Sequence, residues 1–152
     1  TSFGLKSLTK IFFIYLAISI FLLIFLNIFG KYLLIFLGTI KAIGGTNVLL
    51  ILASASIVNG LNVFLFGLVK SLKTWLLSII YFSTAILNIF LNYYLINIYG
   101  IEGAAFATLI SASAGFLIHF YFSSKHLKLP FSFLIPFCFI IMLLIFNIFM
   151  VI

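Results

Sequence analysis

Between Lys10 and Lys31 the chain carries no charged side chain, and only Tyr15, Ser19 and Asn27 break the run of apolar residues. A bilayer span takes about 20 predominantly apolar residues, so Ile11–Phe29 alone reads as a membrane crossing. The pattern repeats along the chain. Of the 152 residues 66% are hydrophobic and only 6% are charged, against roughly 45–50% and about 25% in soluble domains. This excludes a soluble enzyme, a nucleic-acid-binding domain and a disordered tail. The expected fold class is all-α and integral to a membrane.

Gly30-Lys31 is expected to end the first span, leaving Tyr32–Leu37 as a short interfacial or re-entrant segment before Gly38, Lys41 and Gly44-Gly45. Four further spans are expected at about 47–69, 75–98, 103–123 and 131–152, with Pro130 and Pro136 opening the last. Only a few residues join the third and fourth, so these two should pack as an antiparallel pair. With five crossings, one side collects Lys6, Lys10, Lys70, Lys73, Lys125 and Lys128, and the other Lys31 and Lys41 with Glu102. Lysine excess in short loops marks the cytoplasmic side. The N-terminus is therefore expected inside, and the turn near Tyr99-Gly100 outside. The lysines lie in pairs between apolar runs, unlike a nucleic-acid footprint. Topology alone accounts for them; contact with anionic lipid head groups by Lys70, Lys73, Lys125 and Lys128 is the functional reading. The sequence starts without Met, which raises the expectation that it belongs to a longer chain.

Polar residues within a span should face protein or a watery cavity. At 100° per residue Thr74, Ser78, Tyr81, Thr84, Asn88 and Asn92 fall on one face of the third span. Ser56, Asn59 and Asn62 are expected to share a face of the second. Ser56, Asn59, Asn62, Thr84, Asn88 and Asn92 are thus candidate cavity-lining residues, with helix–helix hydrogen bonding as the structural reading. On the fourth span Gly103, Ala107, Ser111 and Gly115 recur every four residues beside a second row, Ala104, Thr108 and Ala112. Such rows let a neighbouring backbone approach closely. His119 continues the first row and is either solvated near the cytoplasmic end or a protonatable coupling group. Glu102 either faces the positive end of its helix dipole or couples an ion. The single Cys138 excludes an intramolecular disulfide and a thiolate cluster, and its expected role is that of a small apolar filler within a helix. No paired carboxylate, His/Cys metal spacing or Ser–His–acid set is present, so neither catalysis nor a cofactor is expected.

The segment from Asn88 to Ser111 contains Asn88 and Asn92 at a helix end and then Tyr99-Gly100-Ile101-Glu102-Gly103-Ala104-Ala105-Phe106-Ala107-Thr108, with Ser111 one turn on. It resembles the C-terminal part of the polysaccharide-biosynthesis flippases, in the superfamily that also holds multidrug and toxin extrusion transporters. Asn59-Gly60-Leu61-Asn62 with Gly67 resembles the small and polar face of the preceding helix. The resemblance implies part of one lobe of a two-lobe, usually fourteen-helix transporter, with the five spans standing for helices nine to thirteen. It also implies translocation of a polyprenyl-diphosphate oligosaccharide across the cytoplasmic membrane by alternating access. The expected partners are membrane lipid, the lipid-linked oligosaccharide and the remainder of the transporter. A multidrug or metabolite antiporter of the same fold, and a non-transporting structural subunit, remain the alternatives.

Overall fold

The computed structural model describes residues 2–36, 45–69, 74–126 and 134–151. All of them are helical: α1 (Ser2–Phe36), α2 (Gly45–Val69), α3 (Thr74–His126) and α4 (Leu134–Val151). Three helices are long and apolar enough to cross a membrane, at Thr9–Phe36, Gly45–Val63 and Trp75–Ser124, and a shorter apolar helix covers Ile135–Phe149. The chain is an all-α membrane protein, but five separate spans are not what it displays. The expected third and fourth spans form one α3, and the expected fifth is the short α4.

α3 is not straight. Gly100 has φ 59° and ψ −132°, outside the helical region and in the half of backbone space that glycine reaches without a Cβ clash. Residues on either side of it meet in antiparallel register. The Asn88 amide reaches Ser111, the rings of Tyr81 and His119 stack edge to face, and Thr84 lies against Gly115. Residues 74–99 and 101–126 are therefore two arms folded back on each other at a single glycine. The 50 residues from Trp75 to Ser124 would otherwise extend about 75 Å, far beyond a hydrocarbon core of about 30 Å.

The expected break at Gly30-Lys31 is absent. α1 continues through it to Phe36, so the segment 32–37 is, as far as Phe36, helix rather than a separate interfacial piece. The reason lies in packing. Gly30 is buried, and a Cβ there would stand 3.2 Å from Leu49 and 3.6 Å from Thr46 of α2. The missing side chain admits the neighbouring helix and leaves the α1 backbone intact. Tyr15 of α1 uses Gly60 of α2 in the same way, with its ring seated over the glycine and its hydroxyl donating to the Ile57 carbonyl at 2.8 Å.

α2 is the central element, packing most extensively on α3 and also on α1 and α4. The core joins Phe12, Leu16 and Leu23 of α1, Ile51, Val58 and Leu61 of α2, Leu109, Phe116 and Phe120 of α3, and Phe139 and Leu143 of α4. Pro136 falls in the first turn of α4, where the missing N–H would have had no helical partner. Cys138 is exposed, so it fills no interior gap. The outer faces of α1 and of the first arm of α3 carry exposed Phe13, Phe21, Phe29, Phe82 and Phe90, as lipid-facing surfaces do.

Candidate functional site

The second arm of α3 is enclosed on two sides, which explains its small residues. Gly103, Ala107, Ser111 and Gly115 are all buried. This row faces the first arm: a Cβ at Gly103 would collide with the Leu95 carbonyl oxygen, and one at Gly115 would stand 2.9 Å from the Thr84 methyl. Ala105, Leu109, Ala112, Phe116 and Phe120 belong to the main core.

Near Gly100 the arms touch backbone to backbone. Farther along, the two arms and α2 line a cleft of about 320 Å³. Asn59 and Asn62 of α2 line it, with Tyr81, Thr84 and Asn88 of the first arm and Thr108, Ser111, Gly115 and His119 of the second. Ile80, Ala85, Ile89 and Ala112 supply its apolar wall. The volume lies at the low end of ligand-sized cavities, about 300–1,000 Å³.

A chain of hydrogen bonds crosses between the arms. Asn92 donates to Asn88 Oδ1 at 2.9 Å and also to the Asn88 carbonyl. Asn88 Nδ2 donates to Ser111 Oγ at 3.0 Å, and Ser111 Oγ donates to the Thr108 carbonyl at 3.1 Å. Thr84 and Thr108 donate to the carbonyls of Tyr81 and Ala104.

At the end of the cleft farthest from Gly100, Asn62 is buried between α2 and the second arm. Its Nδ2 donates to the Ala112 carbonyl at 3.2 Å, and its Oδ1 lies 3.1 Å from His119 Nδ1. The Ala112 carbonyl can only accept, which fixes the amide orientation. Asn62 Oδ1 in turn can only accept, so Nδ1 of His119 carries a proton and donates. His119 is 2% exposed, and its Nε2 is buried with no hydrogen-bond partner.

The predicted residues distribute as follows. Asn59, Asn62, Thr84 and Asn88 line the cleft, together with His119, Ser111 and Gly115. Ser56 does not: it is exposed and donates to the Leu52 carbonyl of its own helix. The cause is angular, because six residues at 100° leave Ser56 and Asn62 about 120° apart on α2. Asn92 also stands outside the wall, one turn beyond Asn88 and bonded to it. Glu102 is half-buried away from the cleft and accepts from Asn47 Nδ2 of α2 at 3.3 Å, tying the base of the α3 hairpin to the start of α2. Lys125 lies in the last turn of α3, while Lys70, Lys73 and Lys128 lie outside the described residues.

Sequence reasoning missed the polar contact of α4 altogether. Asn147 of α4 is fully buried and donates to Ser54 Oγ of α2 at 2.9 Å and to the Leu143 carbonyl at 2.7 Å. Its Oδ1 has no partner. A lone Asn in an otherwise apolar α4 was the available signal, since a polar group in such surroundings needs a partner. Among the described residues no three His, Cys or acidic side chains gather as they would around a metal ion. No family model, curated protein or solved structure matches the chain.

Proposed function

We propose that the chain forms part of a flippase that moves a lipid-linked, polyprenyl-diphosphate oligosaccharide across the cytoplasmic membrane. The observation that supports this reading is a cleft with amide and hydroxyl side chains in its wall, set between helices apolar enough to lie in a bilayer. A sugar stripped of water in hydrocarbon loses several kcal/mol for each unpaired hydroxyl (about 4–8 against cyclohexane). A path lined by amides and hydroxyls lowers that barrier. In this reading each arm of α3 crosses the bilayer, α4 makes a fifth crossing, and the N-terminus lies inside with Lys70, Lys73, Lys125 and Lys128, opposite Lys31 and Lys41. Exposed aromatics support two crossing arms. Trp75 and Tyr121 flank one end of the hairpin, and Tyr93, Tyr94 and Tyr99 the other. From Trp75 to Tyr93–Tyr99 the axial distance is about 27–36 Å, close to the hydrocarbon thickness of about 30 Å. Tyr and Trp concentrate at the two membrane interfaces. Alternating access then comes from rocking of this helix group against an opposing lobe.

The test is appearance of labelled lipid-linked sugar in the outer leaflet of vesicles carrying the transporter. Asn88→Leu with Asn92→Leu should lower the flipping rate while membrane insertion and protein level hold. An unchanged rate would make the inter-arm asparagines packing residues and favour a structural subunit. Drug or metabolite efflux without lipid flipping would favour the antiporter.

A further inference from the structure

The amides of the cleft wall are not equivalent, and from their difference we infer that Asn59 is the one that takes up the ligand, pairing its carboxamide with adjacent hydroxyls of a saccharide in a water-filled cleft. This rests on the reading of the cleft as a substrate site and names the residue that recognises the sugar.

Asn62 and Asn88 are held by protein at both ends of the amide. Asn62 Nδ2 donates to the Ala112 carbonyl and its Oδ1 meets His119. Asn88 Nδ2 donates to Ser111 and its Oδ1 accepts from Asn92. Each keeps one N–H to spare, but neither amide can turn toward a ligand without breaking a contact of the bundle. Asn92, Asn97 and Asn147 each donate to the carbonyl one turn back in their own helix, and Ser56 does the same on α2. Asn59 does none of these. It is exposed, it lines the cleft, and its amide makes no hydrogen bond among the described residues. Both of its N–H groups and both carbonyl lone pairs are free.

Its depth gives this freedom weight. Asn59 lies 14 residues after Gly45 and 10 before Val69, the ends of α2, and no charged residue occurs between Lys41 and Lys70. About 15 Å of helix therefore separates it from the nearer end. An amide left unbonded in hydrocarbon is strongly disfavoured. What meets it is the content of the cleft, water in the empty state and ligand in the occupied one. A carboxamide sets N–H and C=O side by side, and neighbouring sugar hydroxyls, each donor and acceptor at once, match that pair.

The experiment uses the whole chain in lipid nanodiscs, which leave both membrane faces open to solution. In a Cys138→Ser background, Ala85→Cys reports from an exposed position of the cleft wall, and Phe82→Cys from the lipid-facing side is the reference. A water-soluble thiosulfonate should modify the first and spare the second, because a thiol reacts as its thiolate, which apolar surroundings suppress. Methyl glucoside should slow the modification of Ala85→Cys. Adding Asn59→Leu should raise the concentration for half-protection about fivefold to a hundredfold, the range for two neutral hydrogen bonds. Thermal unfolding separates this role from packing. Asn59→Leu should leave the midpoint unchanged or higher, whereas Asn62→Leu, which strips the Ala112 carbonyl and His119 of their partner, should lower it. Ala85→Cys as inert as Phe82→Cys, no protection by methyl glucoside, or equal protection with and without Asn59 would each overturn the inference. So would protection by N-methylacetamide alone, or an Asn59→Leu midpoint as low as that of Asn62→Leu. None of these readouts depends on flipping, so a chain that binds the glucoside through Asn59 and still fails the vesicle assay refutes only the transport reading.

Discussion

Replacing Gly103 by alanine tests the hairpin at its tightest point. An added Cβ would collide with the Leu95 carbonyl oxygen and would stand 2.5 Å from the Leu95 carbonyl carbon and 3.0 Å from Ile96 N. All three obstacles are backbone, and they lie four to five residues from the Gly100 turn, where the arms have little freedom to separate. Overpacking of this kind costs about 1–3 kcal/mol, and backbone obstruction belongs at the upper end. Alanine regains about 1 kcal/mol of helix propensity over glycine. The net loss is about 2 kcal/mol, roughly a thirtyfold fall in the folded-to-unfolded ratio. Gly115→Ala supplies the internal comparison. There the nearest atom is the Thr84 methyl at 2.9 Å, a side chain that can shift, so strain and propensity should nearly cancel. Gly30→Ala meets only the tip of Leu49 at 3.2 Å and should be neutral or slightly stabilising. Thermal unfolding in one detergent, followed by loss of monodisperse protein, ranks the three. Gly103→Ala unfolding at or above the temperature of Gly115→Ala would refute the close approach of the arms.

Ser54→Ala removes the acceptor that holds the buried amide of Asn147 and should cost about 1–2 kcal/mol, read by the same unfolding assay; an unchanged midpoint would mean that α4 packs without this contact. In a Cys138→Ser background, a cysteine at exposed Ile101 should react with an impermeant reagent added outside intact cells, and one at exposed Ser124 should react only after permeabilisation. The reverse pattern would invert the orientation derived from the lysines. Ala107→Leu places a large side chain at a fully buried position of the small-residue row and should lower folded yield and thermal stability by about 1–3 kcal/mol, whereas Ile110→Leu, on an exposed position of the same arm, should change neither.

What could be read beforehand follows the range of each interaction. Membrane character and helicity are local sums over long windows, so composition was enough. The row Gly103, Ala107, Ser111, Gly115 needed only helical periodicity, and Gly100 stood out as a glycine between two apolar runs. Gly30 shows where local reading fails. Glycine followed by lysine looks like a helix end, yet here the absent Cβ serves the neighbouring α2. Asn62 and His119 are 57 residues apart and Ser54 and Asn147 are 93 apart, so no periodicity within one helix can pair them. Ser56 was assigned to the wrong face because a spacing of three was extended to six, where the helical angle no longer returns.

The length of α1 bears on the membrane itself. Its candidate span, Thr9–Phe36, has 28 residues and extends about 42 Å, but it includes Lys10 and Lys31, and the uncharged run between them extends about 30 Å, the thickness of the hydrocarbon core. Upright in such a core, the helix places both lysines at the interfaces, whereas burying all 28 residues would need a lean of about 45°, beyond the usual range, or a bilayer thickened around it. α1 touches the rest of the bundle along one side only, so it is the element free to respond. In a bilayer thinner than this it leans and drags Tyr15 across Gly60; in a matching one it stands upright. Bilayer thickness thereby acts on the fold through a single helix, and the stability of the α1–α2 contact should follow acyl chain length.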